Sequence, residues 1–282
     1  MKHTIEELIS QEGVASSLPG VYYELKGAID DVDSEFEDFE YIIKQDISLS
    51  ARVLKIVNSP FFGLPSQVET ISHAVSIIGL AELNELALST FVLDKLKSTS
   101  SKLLDINRFS DHSVFCGTAA KMIAEMISYP KRETLFTSGM LHDIGRLVLC
   151  VNASDTMQEC FKRCEQEDKS LTEIESEVFG FDHSEVGLAL LTSWKLPLVH
   201  IETAGFHHKY QDSLSFAKET AIIHVADLLA WNNEKGDVNV PAEAPILNEK
   251  AWKKLELEDD VTLEILQETV EEKLSLANQA FF

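Results

Sequence analysis

Apolar residues recur at three- and four-residue spacing along nearly the whole chain, and no convincing run alternates apolar with polar residues. That periodicity predicts helices throughout and no sheet. The breaks fall where turn chemistry places them. Ser34-x-x-Glu37 has the pattern of a capping box ahead of FEDFEYIIKQD, and Ser48 is placed to cap SLSARVLKIVNS. Asn58-Ser59-Pro60 and Gly63-Leu64-Pro65 then predict a loop, because proline disfavours helix in the residue before it. Helix resumes at ETISHAVSIIG, stops at Gly79 and continues through AELNELALSTFVLDKL to a polar hinge at Ser98 to Ser101. Residues 1–103 are therefore expected to form an N-terminal helical subdomain. A second one over 104–235 contains RFSDHSVFCGTAAKMIAEMI, the almost wholly apolar ETLFTSGMLHDIGRLVLCV read as one buried helix, and HSEVGLALLTSWKL, opened by Asp182 and Glu185 and closed by Pro197. LPLVHIETAGFHH and ETAIIHVADLLAWNN follow. Residues 236–282 form an acidic extension whose LEILQETVEEKLSLA keeps helical spacing, so one or two packed helices are expected after Pro241.

Charge bounds the partners. A formal net charge of -23 over 282 residues repels a phosphate backbone, and nucleic acid is not expected as a partner. No apolar run reaches the roughly 20 residues of a membrane-spanning helix, and MKHTIEELISQEG has no apolar signal core. No membrane association and a cytoplasmic location are the resulting expectations. Cys116, Cys150, Cys160 and Cys164 form no CxxC pair, and they read as small core residues. Phe61 and Phe62 are too apolar to face water and should enter a pocket in the second half or on a partner.

Against this background one ordered series of side chains carries chemistry: His112, His142-Asp143, His183, His207-His208 and Asp227. Imidazole and carboxylate together suit borderline divalent metals, and a set of this size could seat one or two ions. Asp143, flanked by His142 and Ile144, is costly to bury unless paired or metal-bound. Helix neighbours point about 100° apart, so His142 and Asp143 can serve one centre only at a helix end or beside a cleft. His73, His200 and His224 sit in apolar helices and read as packing residues, and His3 lies close to the terminus. Arg146, one turn beyond the doublet, could reach a bound phosphate or form a salt bridge with Asp143, the latter being the expected role. Asp143 and Arg146 are the candidates for any catalytic role.

The series His112, His142-Asp143 and Asp227 resembles the signature of the HD superfamily of metal-dependent phosphohydrolases. KQDISLSARVLKIVNSPFFG, ETISHAVSIIGLAELNEL and FGFDHSEVGLALLTSWKLP are similar to the opening helices, Asn-Ser loop and central segment of its HDOD (HD-related output domain) branch, from about Leu18 to about Trp231. The resemblance implies an all-α fold: an HD-domain-like helical bundle with an N-terminal helical subdomain. It implies a signal-transduction or regulatory module that meets a protein partner and has little or no catalysis. The alternative is a metal-dependent phosphohydrolase acting on a small phosphoester. It also implies one or two divalent transition metal ions, Fe, Mn, Ni or Zn. By similarity to the binuclear phosphodiesterase branch, Asp143 would bridge two ions, with His112, His142 and Asp227 on one and His183, His207 and His208 on the other. Two departures argue against cyclic-dinucleotide hydrolysis. Arg146 stands where hydrolytic relatives commonly have Lys, and KYQDSLSFAKE follows His207-His208 in place of a Gly-Tyr-Pro motif.

Overall fold

The computed structural model describes residues 3–11, 14, 16–31, 33–233, 246–257 and 261–281. It is all-helical, with no strand among the described residues. The first part comprises α1 (Ile5–Ile9), α2 (Gly20–Asp30), α3 (Phe36–Gln45), α4 (Ile47–Val57), α5 (Ile71–Ile78) and α6 (Leu80–Ser98). There follow α7 (Ile106–Met126), α8 (Arg132–Leu141), α9 (Ile144–Asn152), α10 (Ser154–Cys164), α11 (Leu171–Phe179), α12 (His183–Ser193), α13 (Leu198–Phe206), a 3-10 turn at Tyr210–Asp212, and α14 (Ala217–Asn233). The tail supplies α15 (Glu249–Leu255) and α16 (Leu263–Phe281), as its periodicity predicts; Pro241 lies outside the described residues.

Local signals place most boundaries correctly, and two caps shift. The cap of α3 falls on Glu35, whose backbone N–H donates to Asp38 Oδ2 at 2.9 Å, instead of on Ser34. That of α4 is Asp46, whose carboxylate accepts from Leu49 N at 2.9 Å, and Ser48 lies inside the helix. A carboxylate at either position answers the unpaired N–H groups as well as a hydroxyl does. Asp182 and Glu185 form the expected box at α12, with Glu185 N to Asp182 Oδ1 at 3.1 Å and Asp182 N to Glu185 Oε2 at 3.0 Å. Gly79, with φ +89°, turns the chain by 116° between α5 and α6. No single described helix is long and apolar enough to cross a membrane.

The NSPFFGLPS loop is closed by one side chain. The Asn58 amide donates to Val68 O and accepts from Val68 N, both at 2.7 Å, so it stands in for the backbone pairing a loop cannot make. Phe61 lies against Phe136 of α8 and Phe281 of α16, with ring centroids 5.4 and 5.8 Å away, so the pocket expected for it is within the chain. Lys121 sits over both Phe61 and Phe62, 4.2 and 4.3 Å from the ring centres. Buried apolar side chains from α1 to α16 join in one cluster, and a second is built by α7, α14, α15 and α16. Cys116, Cys150 and Cys160 are buried without disulfides, the core role the sequence suggests.

Two sites depart from the sequence pattern in a way that matters. ETLFTSGMLHDIGRLVLCV is not one helix, because the chain breaks at His142-Asp143 between α8 and α9. Helices α7 and α8 also cross glycine on glycine: a Cβ on Gly139 would lie 2.6 Å from Gly117 Cα. This close approach sets the helix of His112 directly against that of His142.

Candidate metal centre

The donors come from chain breaks and from two long helices. His142 and Asp143 occupy the α8–α9 break, His183 is the first residue of α12, and His207 and His208 directly follow α13. His112 and Asp227 project from within α7 and α14. The fold thus resolves the doublet problem: Asp143, with φ -103° and ψ 11°, leaves the helix, so its carboxylate and the His142 imidazole turn toward a common point. All seven side chains converge in two adjoining groups, Asp143 with His183, His207 and His208, and Asp227 with His112 and His142. Within each group the donor atoms lie within 4.8 Å of one another. Asp227 Oδ1 is 3.2 Å from His112 Nε2 and 3.3 Å from His142 Nε2, while Asp143 Oδ1 is 3.2 Å from His183 Nε2 and 3.7 Å from His207 Nε2.

The rings are held from behind. His142 Nδ1 faces the Gly139 carbonyl at 2.7 Å, and His207 Nδ1 faces that of Ala204 at 2.8 Å. A carbonyl only accepts, so each Nδ1 carries the proton and each neutral ring presents a bare Nε2 inward. His183 Nδ1 is 2.7 Å from Glu175 Oε2, which also accepts from His183 N at 2.9 Å. A carboxylate behind an imidazole in this way orients metal-ligating histidines and raises their basicity. Glu175 was not legible in the sequence; its place eight residues before His183 matches no ligand spacing, and only the packing of α11 against the start of α12 discloses it.

These donors suit a cation. His142 Nε2, His207 Nε2, Asp143 Oδ1 and Asp227 Oδ1 are buried and make no hydrogen bond. Leaving such atoms unanswered is costly, whereas a divalent ion held by them would give these lone pairs a partner. The buried His/Asp clusters could therefore hold a metal. By contrast, two of the histidines read as packing residues have other partners: His200 Nδ1 lies 2.8 Å from Ser138 Oγ, and His224 Nδ1 donates to His207 O at 2.9 Å. His73 departs from that reading, because its face of α5 is turned outward and the ring is exposed.

Charge in the cluster is finely opposed. Burial works against ionising Asp143, but Arg146, His142 and His183 hold its carboxyl well below the usual range. Asp227 is held low against burial by His112 and His142. Burial likewise disfavours charge on His142 and His183, yet the Cys116 sulfur and Asp143 and Asp227 raise the first, and Glu175 and Asp143 raise the second to about 9. His207 is pushed by burial and by His142 down to about 3, and His208 also stays neutral through burial and its neighbours His207 and His183. Without an ion, then, His183 is protonated at neutral pH. Stabilisation of the metal-free chain by protonated His183 is complete below about pH 6.5 and lost as pH rises through about 9. Metal must displace the His183 proton, so its affinity is expected to rise from pH 6 toward 9. Calorimetric titration at pH 7 in two buffers of different ionisation enthalpy should show proton release; a buffer-independent enthalpy would contradict it.

Arg146 is turned inward. Its Nη1 lies 2.8 Å from Asp143 Oδ2, the salt bridge its spacing suggests, and its guanidinium carbon is 5.5 Å from the Trp231 ring. Trp231 is itself buried and stands edge-on to His112, centroids 5.7 Å apart. This indole covers the centre, and nothing in its sequence position marks it for that place.

The HDOD domain profile matches residues 15–210, well over half of the sequence. The chain belongs to the HDOD family. A Treponema pallidum protein of unassigned function is 27% identical to this HDOD chain over 192 residues, covering 68% of it and 37% of the relative, so the chain spans little more than a third of that relative's length. The crystal structure of an HDOD domain protein from Geobacter sulfurreducens has the same fold, with TM-score 0.77 at 23% identity over 99% of this chain and 97% of that one. A Shewanella amazonensis protein provisionally described as a phosphohydrolase superposes with TM-score 0.71 at 21% identity, covering 98% and 97%. The HDOD match ends before Asp227 and Trp231. Helix α14 therefore brings a donor and the covering indole from outside the matched segment.

Proposed function

We propose that this HDOD chain is a regulatory module of a signalling pathway, which meets a protein partner through its helical surface and holds a divalent transition metal as a structural or sensing element with little or no catalysis. The observation that carries this reading is the enclosure of the donors. His112, His142, Asp143, His183, His207 and Asp227 are each at most 6% exposed, under Trp231, and only His208 is partly accessible. An ion generates a nucleophile for a substrate only when a coordination position opens to that substrate. Arg146, the one guanidinium at the centre, is engaged with Asp143. When bound, the ion would supply Lewis acidity and an acidified water. The chain's own residues orient the donors through Gly139, Ala204 and Glu175, and Trp231 packs edge-on against His112. In this reading residues 1–103, 104–235 and 236–282 are parts of one folded module.

The second reading, a metal-dependent phosphohydrolase acting on a small phosphoester, is favoured by one observation: the buried Nε2 and carboxylate lone pairs facing each other form a donor set of hydrolytic type. The deciding assay supplies Mn, Fe, Ni and Zn in turn, anaerobically, with a panel of nucleotides, cyclic dinucleotides and simple phosphoesters. The expected result is no substantial turnover of cyclic dinucleotides and at most slow hydrolysis of the rest. Turnover on the order of 1 per second, abolished by Asp143→Ala, would replace the module reading with the enzymatic one.

A further inference from the structure

Asp143 has two unlike oxygens. Its Oδ1 faces His183 and His207, at 3.2 and 3.7 Å, but its Oδ2 is 2.8 Å from Arg146 Nη1 and 3.8 Å from His142 Nε2. The group of His112, His142 and Asp227 therefore has one carboxylate of its own, and the oxygen that would join it to the other group is held by a guanidinium. Counting buried charge leads to the same place. With the histidines neutral, as ligation requires, three carboxylates, Asp143, Asp227 and Glu175, against Arg146 leave two net negative charges, which a single divalent ion neutralises. A second ion would leave two positive charges uncompensated in a buried site, which is strongly disfavoured.

We infer that Arg146 acts as an internal substitute for a second cation on Asp143, so that the site holds one divalent ion until a phosphoryl anion draws the guanidinium away and admits the second. This rests on the metal-binding reading above. Arg146 suits the exchange, because its planar fork matches phosphate at least as well as carboxylate and its buried Nε makes no hydrogen bond. A phosphate dianion also supplies the two negative charges that the second ion requires. By linkage the second ion and the anion then strengthen each other's binding.

The test uses the full chain, stripped with chelator and dialysed to equilibrium against Mn²⁺ with and without inorganic phosphate, with bound manganese counted by elemental analysis. One ion per chain is expected without phosphate and two with it, phosphate tightening the second ion by about tenfold or more. Arg146→Gln is expected to take the second ion without phosphate, and Arg146→Lys, which keeps the charge, to remain phosphate-dependent. Two ions on the wild-type chain in phosphate-free buffer would overturn the inference while leaving metal binding intact. An Arg146→Gln chain that still stops at one ion would overturn it too. No ion under any condition would remove the metal-binding reading, and this inference with it. Should Arg146→Gln fail to fold, the two wild-type arms still decide.

Discussion

Gly145→Ala is expected to destabilise the protein by about 3 kcal/mol or more and to pull apart the half of the metal centre that contains His183. A Cβ at residue 145 would fall 2.0 Å from His183 O and 2.5 Å from Gly187 N. Both are backbone atoms, so no rotamer change relieves the overlap and α12 has to retreat from α9. His183, at the first position of α12, would move with it and lose its 3.2 Å approach to Asp143 Oδ1. Gly187→Ala is the control. Its Cβ would meet nothing nearer than Gly145 N at 3.6 Å, an ordinary contact, so its stability is expected to stay close to that of the wild type. Urea denaturation of the two variants, with metal content measured alongside, decides the matter. Equal stability for Gly145→Ala and the wild type would mean that the α9–α12 crossing is not as close as described.

His142→Ala is expected to have the other large effect, a loss of bound metal of at least tenfold with a fall in stability of about 3 to 5 kcal/mol, since removing one partner of a buried ionic set exposes the charge of the rest. Its ring is buried, anchored to Gly139 O, and placed between Asp227 and Asp143 at 3.3 and 3.8 Å. Without it, two ionised carboxylates confront each other with less to neutralise them. His73→Ala, on an exposed helix face, is expected to change neither quantity. Elemental analysis and chemical denaturation of both variants provide the measurement; a His142→Ala protein with wild-type metal content would show that the ligand assignment is mistaken.

Much of the site was readable because its donors are chemically distinctive. Seven histidines and aspartates in one ordered series through largely apolar helices are conspicuous. The same reasoning failed for groups that act from behind. Glu175 looks in the sequence like any other glutamate of an acidic amphipathic helix, and Trp231 like the end of an apolar one. Their roles exist only because α11 abuts the start of α12 and α14 lies across α7. His200 and His224 show the converse: as isolated histidines on apolar helices they read as packing residues, and hydrogen bonds to Ser138 and His207 give them that role.

By itself the chain's pattern determined the helical class, the loop at NSPFFGLPS and which side chains could serve as donors, since periodicity, turn residues and ligand chemistry are local properties. It could not determine the helix break at His142-Asp143, because helical spacing continues on both sides of the doublet and no proline marks a stop there. That break is decided by tertiary contacts: the glycine crossings at Gly117/Gly139 and Gly145/Gly187 bring α7 onto α8 and α9 onto α12, and the doublet leaves the helix where the donors of four other segments converge. Which oxygen of Asp143 Arg146 occupies follows in turn from that break, since side-chain direction at a helix end is set by the φ and ψ that packing imposes.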